Sequence, residues 1–292
     1  KKALKLAKKG LFTTTANPRV GCVMVSRGRI VGKGYHKRVG EPHAEVFAIK
    51  NADEYSGAAT AFVTLEPCSH FGKNPPCADA LIKAGIKKVI ICNNDPNPLV
   101  AGKGIAKLKA AGIKIKTGYK AKHGHRLNVG FFHRMQNGTP YVRLKMAQSM
   151  DGRTAMASGE SQWITGPKAR QDVQYWRARS QAILTGIDTV LHDDCELTVR
   201  VNQLPKKYQK LPNDFDKYQP MRLVLDTHLK IPLEARVLAK LGRSVIMTAS
   251  TDSSKINKLE SVGVEVVQMP AFNNKIDLNA VLIWLGKQQI NE

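Results

Sequence analysis

Short apolar runs alternate with helix-like segments along the first half of the chain. Apolar residues at helical spacing, with Gly85 and Gly112 just beyond two of the segments, predict helices over residues 43–51, 76–84 and 103–111. Runs rich in β-branched residues predict strands over residues 20–25, 30–35, 61–65, 89–92 and 113–116, the first two forming a hairpin. Strands that alternate with helices of about ten residues predict an α/β layered domain.

A turn-rich cluster, Asn137-Gly138-Thr139-Pro140, separates this pattern from a second one. Beyond it, the sequence predicts a helix over residues 167–178 and strands over residues 141–146, 182–185, 223–225, 245–248 and 264–267. The polar segment 202–220 is expected to lie on the surface. The sequence therefore predicts two α/β domains, residues 1–139 and 140–292.

Composition excludes several classes of protein. The 292 residues are 42% hydrophobic and 24% charged, which is typical of a globular chain rather than a disordered or fibrous one. The longest apolar runs are far too short to cross a bilayer, so no membrane association is expected. An odd number of cysteines at irregular spacing, and a Lys-rich start without the apolar core of a signal peptide, favour a reducing, cytoplasmic compartment.

The net charge of +23 is distributed unevenly. Residues 1–140 hold 25 basic and 7 acidic residues, whereas residues 141–292 hold 21 and 16. Such an excess predicts an anionic partner: nucleic acid, a phosphorylated metabolite or acidic lipid. Many of these lysines are spread over predicted helices, which is typical of solvated faces, so charge alone does not choose among the partners.

Residues typical of a catalytic metal site follow one another in the first domain. They are His43-Ala44-Glu45, Pro67-Cys68 and Cys77. Zinc prefers imidazole and thiolate ligands, and a catalytic site uses three protein ligands and leaves a fourth position open. A carboxylate such as Glu45, next to activated water, can move a proton to a leaving amine, as in zinc deaminases.

A structural zinc site is the alternative for these residues. It would need a fourth protein ligand, which His70 could supply. Eight residues separate Cys68 from Cys77, which departs from the short spacing of many nucleoside deaminases.

Further motifs extend the pattern over nearly the whole chain. Those of the first half are Asn17-Pro18-Arg19-Val20-Gly21-Cys22-Val23, His43-Ala44-Glu45-Val46, Thr64-Leu65-Glu66-Pro67-Cys68-Ser69-His70, Pro75-Pro76-Cys77-Ala78-Asp79 and Asp95-Pro96-Asn97-Pro98. Those of the second half are Lys145-Met146-Ala147-Gln148-Ser149-Met150-Asp151-Gly152-Arg153 and Trp163-Ile164-Thr165-Gly166. In this order they resemble the bifunctional riboflavin-biosynthesis deaminase/reductase family.

The resemblance implies a fold, two cofactors and two reactions. It implies a cytidine-deaminase-like three-layer domain followed by a dihydrofolate-reductase-like α/β domain. The first would use zinc to deaminate 2,5-diamino-6-(5-phosphoribosylamino)pyrimidin-4-one, and the second would use NADPH to reduce the ribosyl group to ribityl. The partners would be the phosphorylated pyrimidine and NADPH, without nucleic acid, and members of the family form homo-oligomers.

The resemblance also assigns roles to individual residues. In the first domain, His43, Cys68 and Cys77 would bind zinc, Glu45 would transfer protons, and Asn17, His36 and Lys73 would contact the substrate. In the second domain, NADPH would contact Ala147, Trp163, Thr189 and Asp193, and the ribosyl phosphate would contact Lys145, Ser161, Thr165, Arg177, Leu197 and Arg200. Paired guanidinium groups suit a phosphate.

The sequence departs from the family pattern in two places. Cys195 stands where the family usually has Pro. The sequence ends at Asn291-Glu292, before the apolar strand and paired glycines with which the family continues, so the second domain is expected to lack its carboxyl-terminal end.

Two other functions compete with this assignment. An RNA-directed zinc deaminase with an appended binding domain would explain the charge of residues 1–140, although aromatic residues for base stacking are few, at 6%. A non-catalytic binding protein would have no chemical need for Glu45.

Overall fold

The computed structural model describes residues 1–71, 75–209, 211–212, 214–239 and 242–292. The chain divides into two compact units. The first comprises Lys1–Tyr141 together with Asn291, and the second comprises Val142–Ile290 together with Glu292.

The first unit is built around a five-stranded mixed sheet of order β2-β1-β3-β4-β5. Its strands are β1 (Gly21–Ser26), β2 (Arg29–Tyr35), β3 (Thr60–Leu65), β4 (Lys88–Asn93) and β5 (Lys114–Lys116). Its helices are α1 (Lys2–Ala7), α2 (Ala44–Lys50), α3 (Cys77–Lys83), α4 (Lys103–Ala110), α5 (Ala121–Leu127) and α6 (Val129–Asn137). The strands and helices predicted for residues 20–116 are confirmed, with ends shifted by one or two residues.

Local chemistry explains the hairpin at the edge of this sheet. Strands β1 and β2 pair antiparallel, and Arg27 and Gly28 between them have φ angles of 46° and 75°. Two consecutive residues with positive φ match the right-handed twist of the flanking strands, and glycine tolerates this conformation without steric cost.

Helix α2 packs unusually close to strand β2 because two glycines face it. A Cβ atom at Gly34 would lie 2.1 Å from the carbonyl oxygen of Ala44, and one at Gly32 would lie 2.1 Å from that of Ala48. Any larger residue would push α2 away from the sheet. The two glycines therefore fix the position of the helix that begins directly after His43.

Helices cover both faces of the sheet. Buried residues of α2, α3 and α4 share one apolar core with strands β1, β3 and β4. On the other face, α1 lies against Gly21 of β1, and α5 lies against Cys92 of β4. The result is a three-layer unit in which the segments following β3 and preceding α2 and α3 come together on one side.

The second unit contains a four-stranded parallel sheet of order β6-β7-β8-β9. Its strands are β6 (Ala182–Gly186), β7 (Met221–Leu225), β8 (Ser244–Thr248) and β9 (Glu265–Gln268), and a small hairpin is formed by β10 (Ala271–Phe272) and β11 (Lys275–Ile276). Its helices are α7 (Pro167–Arg179), α8 (Ile187–Asp193), α9 (Ser253–Ser261) and α10 (Leu278–Lys287). Helix α7 and the four parallel strands are confirmed.

The strand predicted over residues 141–146 is wrong. Apolar and basic residues alternate in this segment as they would in a strand, but the segment belongs to none of the three sheets. Val142, Leu144 and Met146 are exposed. An alternating pattern produces a strand only where a neighbouring strand completes its backbone hydrogen bonds. The Tyr141 N–H donates to the Asn291 carbonyl at 2.9 Å, but no strand among the described residues lies beside the segment.

In the described part of the chain, no helix combines the length and the apolar character needed to cross a bilayer.

Candidate metal centre and cofactor sites

Three predicted zinc ligands meet in the first unit. The ligand atoms of His43, Cys68 and Cys77 all lie within 4.8 Å of one another. The His43 Nδ1 atom is 3.2 Å from the Cys77 Sγ atom and 3.6 Å from the Cys68 Sγ atom. His70 is exposed and does not belong to this cluster. The cluster thus offers three donors on one side, as a catalytic zinc site requires.

Each ligand is held by the start of a helix or the end of a strand. His43 is the residue before α2, Cys77 is the first residue of α3, and Cys68 lies three residues after β3. The backbone N–H of Cys77 donates a hydrogen bond to Cys68 Sγ at 3.3 Å, and the N–H of Ala78 donates to the Cys68 carbonyl at 3.0 Å. Helix α3 therefore positions both sulfur ligands.

The electrostatics of the two thiols favour a sulfur anion. The hydrogen bond from the Cys77 thiol, together with the neighbouring His43, lowers the pKa of Cys68 well below that of a free thiol. The same interaction with Cys68 raises the pKa of Cys77. Hydrogen bonding to Cys68 also raises the pKa of His43. Zinc binds thiolates, so a bound cation would displace the thiol proton that these two sulfur atoms compete for.

Glu45 lies in the first turn of α2 and is almost completely buried, with 3% of its surface exposed. Among the described residues, its Oε2 atom has no hydrogen-bond partner. Burial, followed by the charge of Cys68, raises the pKa of Glu45 to about 7, although His43 acts in the opposite direction. A buried carboxylate oxygen without a hydrogen-bond partner lowers the stability of the fold unless a bound ligand donates a hydrogen bond to it.

These features together fit zinc. The donor set of one imidazole and two thiols is typical of a catalytic zinc ion, and the free oxygen of Glu45 is available to a water molecule beside it. The fit rests on the three ligands and on the unpaired oxygen of Glu45.

Two predicted substrate contacts form a pair close to the metal ligands. The Asn17 Nδ2 atom lies 3.0 Å from His36 Nε2, and His36 Nδ1 lies 3.4 Å from the Pro42 carbonyl oxygen. Because an amide nitrogen only donates, Nε2 of His36 accepts and Nδ1 carries the proton. Burial, together with the charge of His43, lowers the pKa of His36, in agreement with a neutral ring. Lys73 lies outside the described residues.

Sequence reasoning did not assign a role to Glu66, which precedes the Pro67-Cys68 ligand segment. Its buried carboxylate accepts three backbone N–H groups: Oε2 those of Asp95 and Gly102, both at 3.2 Å, and Oε1 that of Ile105 at 3.1 Å. The charged residue within the apolar and Pro-rich segment Leu65-Glu66-Pro67 was the available signal, because a charge there needs buried partners.

The predicted reductase residues lie in three regions of the second unit. The first region is the irregular chain before α7, which carries Lys145, Ala147, Ser161, Trp163 and Thr165. The second is α8, where Thr189 and Asp193 lie one turn apart. The third is the contact between Arg177, on α7, and the segment that carries Leu197 and Arg200. Trp163 is exposed at 69%, and the Arg170 guanidinium stacks 4.4 Å from its ring centre. Leu197 is buried and takes a positive φ of 54°.

Arg177 and Arg200 form a positively charged pair. The Nη1 of Arg177 donates to the Thr198 carbonyl oxygen at 3.0 Å, and Gln174 Oε1 accepts the N–H of Arg200 at 2.9 Å. Burial, together with the charge of Arg200, lowers the pKa of Arg177. The Arg200 guanidinium also lies 3.9 Å from the Glu196 carboxylate. Guanidinium groups suit a phosphate, because their N–H groups can donate to two of its oxygens at once.

A polar cavity of about 590 Å³ was not predicted from the sequence. It lies where strands β7 and β8 end and beside the β10–β11 hairpin, and its lining includes Thr227, His228, Ser250, Thr251 and Asn274. Ligands of open parallel sheets bind beyond the carboxyl ends of the strands. The hydroxyl-rich sequence Thr248-Ala249-Ser250-Thr251 after a buried strand was the available signal.

Comparison with known proteins gives the same two-part organisation. The family model "Cytidine and deoxycytidylate deaminase zinc-binding region" matches residues 1–93, and the model "RibD C-terminal domain" matches residues 140–292. "Riboflavin biosynthesis protein RibD" of Escherichia coli is 49% identical over 290 residues, which cover 99% of this chain and 78% of that protein. The protein of the same name from Haemophilus influenzae is 44% identical, covering 99% of this chain and 76% of that one.

Solved structures of similar proteins agree. Acinetobacter baumannii RibD superposes with a TM-score of 0.89 at 47% identity, over 99% of this chain and 77% of that one. A Thermotoga maritima diaminohydroxyphosphoribosylaminopyrimidine deaminase/5-amino-6-(5-phosphoribosylamino)uracil reductase superposes with a TM-score of 0.83 at 34% identity, over 100% of this chain and 77% of that one. The predicted fold class, a cytidine-deaminase-like domain followed by a dihydrofolate-reductase-like domain, is confirmed. Neither these structures nor the family models support the RNA-directed alternative.

Proposed function

The chain belongs to the RibD family of riboflavin-biosynthesis enzymes, and on that premise we propose which residues perform its two reactions. It is a bifunctional enzyme with a zinc-dependent deaminase and an NADPH-dependent reductase. The proposed domain boundary lies between residues 139 and 140. The proposed substrate is 2,5-diamino-6-(5-phosphoribosylamino)pyrimidin-4-one, in accordance with the activity named for the Thermotoga maritima protein.

In the deaminase domain, His43, Cys68 and Cys77 would hold the zinc ion. When bound, zinc makes a water molecule nucleophilic at neutral pH and stabilises the negative charge that develops on its oxygen. The Glu45 carboxylate takes a proton from the attacking water and delivers it to the leaving amine. The ring carbon gains an oxygen, its bond to nitrogen breaks, and ammonia leaves. The pairing of a three-ligand cluster with the buried, unpaired oxygen of Glu45 is the observation that carries this proposal.

Asn17, His36 and Lys73 would bind the pyrimidine substrate. The neutral His36 ring and the Asn17 amide offer one hydrogen-bonding edge beside the metal ligands. Such groups read the polar edge of a heterocycle, and a lysine suits its phosphate.

In the reductase domain, Lys145, Ser161, Thr165, Arg177, Leu197 and Arg200 would hold the ribosyl phosphate. Ala147, Trp163, Thr189 and Asp193 would contact NADPH. When bound, NADPH supplies the hydride, and the protein positions the two partners. Hydrogen bonds from Arg177 to the Thr198 carbonyl and from the Arg200 N–H to Gln174 hold the two arginines on adjoining segments, which supports the phosphate assignment.

We propose that the cavity beyond β7 and β8 binds the part of NADPH that the four residues assigned to this cofactor do not contact. Thr227, Ser250 and Thr251 offer hydroxyl groups there, and none of the lining residues that the structure describes is acidic. A polar cavity at the carboxyl ends of parallel strands suits the ribose and phosphate groups of a nucleotide.

One assay on the full chain tests both activities. Purified protein is given the diaminopyrimidine phosphate and NADPH, and ammonia release and NADPH oxidation are recorded together. We expect ammonia release even in the absence of NADPH, and NADPH oxidation only after the substrate has been deaminated. Zinc-loaded protein that releases no ammonia from this substrate would refute the deaminase assignment.

The setting of the enzyme is also a proposal. The partners are the phosphorylated pyrimidine and NADPH. We expect the chain to work in the cytoplasm, as a homo-oligomer, and without nucleic acid. Light scattering gives the oligomeric state, and salt-dependent binding of RNA at physiological ionic strength would contradict the last point.

A further inference from the structure

The loop that carries Asn17, residues 14–19, has a conformation that its own sequence does not favour. Thr15 has a φ of 46°, in the left-handed region, which is uncommon for a β-branched residue. Such conformations persist only where surrounding contacts fix them. The contacts on this loop therefore decide where the Asn17 amide lies relative to His36.

The carboxyl-terminal end of the loop is fixed by Asn128, between helices α5 and α6. Its Oδ1 accepts the Arg19 N–H at 2.8 Å, and its Nδ2 donates to the Arg19 carbonyl at 3.0 Å. The Arg19 guanidinium in turn donates to the carbonyl oxygens of Leu11 and Leu127, at 3.2 and 3.3 Å. This end of the loop is thereby tied to the junction of two helices.

The amino-terminal side is fixed by Asn291, which is distant in sequence but belongs to the first compact unit. Its Nδ2 donates to the carbonyl oxygens of Thr15 and Ala16, at 3.2 and 3.1 Å. The Arg134 guanidinium donates to the Ala16 carbonyl at 3.4 Å and to the Oδ1 atom of Asn291 at 2.7 Å. Asn291 is 3% exposed, so water does not compete for these bonds.

We propose that Asn291, oriented by Arg134, is a positioning residue for Asn17 in recognition of the deaminase substrate. Both carbonyl groups that it binds lie directly before Asn17, and one belongs to the residue with positive φ. Releasing them allows Thr15 to return to an ordinary conformation, which moves the Asn17 amide away from His36. The inference rests on the proposed role of Asn17 as a substrate contact.

Two substitutions at position 291 isolate the contact. Asn291→Ala removes the amide nitrogen that donates to the two carbonyl groups and the amide oxygen that accepts from Arg134. Asn291→Asp keeps an oxygen for Arg134, but it replaces the amide nitrogen with a second oxygen, which repels the two carbonyl oxygens. In the full zinc-loaded chain, both should raise the KM for the diaminopyrimidine phosphate in ammonia release, by about tenfold for Ala and more for Asp. The kcat for ammonia release and the zinc content should change less than about twofold.

A matched control is available on the same unit. The Nδ2 of Asn51 donates to the Lys33 carbonyl at 2.7 Å, away from the loop and on the surface. Asn51→Ala removes one amide-to-carbonyl bond and should leave the KM unchanged. The reductase rate on deaminated substrate serves as a second control within each variant.

A double-mutant cycle separates this inference from the proposed function. If Asn291 acts through Asn17, the effect of Asn291→Ala on the KM should disappear in an Asn17→Ala background. An unchanged KM in Asn291→Ala would overturn the positioning role. So would an undiminished effect of Asn291→Ala in the Asn17→Ala background, or a fall in kcat and zinc content that accompanies the rise in KM. A normal KM in Asn17→Ala alone would show that the assignment of Asn17 fails, and the inference with it.

Discussion

The Glu66 carboxylate accepts a hydrogen bond from the backbone N–H of Ile105 at 3.1 Å, which joins the segment carrying Cys68 to the first turn of α4. Helix α4 also lies directly against this segment, since a Cβ atom at Gly104 would be 1.9 Å from the Pro67 carbonyl oxygen. The position of the Cys68 sulfur therefore depends on a helix that contributes no metal ligand.

Replacing Glu66 with Gln should weaken both the fold and the metal site. Both carboxylate oxygens of Glu66 accept hydrogen bonds from backbone N–H groups. In Gln, one oxygen is replaced by an NH₂ group, which cannot accept, so at least one buried backbone N–H loses its partner. We expect a loss of about 1–3 kcal/mol in the free energy of unfolding, measured with urea, and faster release of zinc to a chelator. The exposed Glu54 provides the control, Glu54→Gln. Zinc release at the unchanged rate would show that Glu66 does not position Cys68.

Glu45→Gln should separate metal binding from chemistry. The amide has nearly the same shape as the carboxylate, but it cannot take a proton from water. Ammonia release should fall by about 10²–10⁴-fold, while the zinc content and NADPH oxidation with deaminated substrate stay as in the unchanged chain. Ammonia release at the normal rate would exclude Glu45 as the proton carrier.

Zinc content should distinguish the ligand cysteines from the others. Cys77→Ala removes one of three ligands, and we expect metal analysis to show a fall from about one zinc ion per chain to well below that after mild chelation. Cys195→Ala is the control, because Cys195 belongs to the second unit and is not one of the three clustered ligands. Full zinc retention in Cys77→Ala would contradict the assignment of this ligand.

Elements with local signals could be predicted from the sequence. The hairpin at Arg27-Gly28 and the helix that ends before Gly85 depend on neighbours in sequence, and both formed where expected. The metal cluster was predictable because its ligands are rare residue types in the order that a known chemistry uses, although Cys68 and Cys77 are farther apart than the cysteines of many nucleoside deaminases.

Features that depend on distant partners could not be predicted in this way. Residues 141–146 alternate like a strand, yet no strand among the described residues pairs with them. Asn128 resembles an ordinary turn residue, and only the fold shows that its amide binds both backbone groups of Arg19. The same holds for the roles of Glu66 and Asn291, since each bonds to residues far away in sequence.

Arg177→Gln should impair the reductase without affecting the deaminase. Arg177 is half-buried on α7 beside Arg200, so its charge is available to a phosphate that is shielded from water. With deaminated substrate, the KM in the NADPH oxidation assay should rise by about 10–100-fold, whereas ammonia release from the diaminopyrimidine should be unchanged. Arg243→Gln, which breaks an exposed ion pair with Glu265, controls for loss of a positive charge. An unchanged KM in Arg177→Gln would remove this residue from the phosphate site.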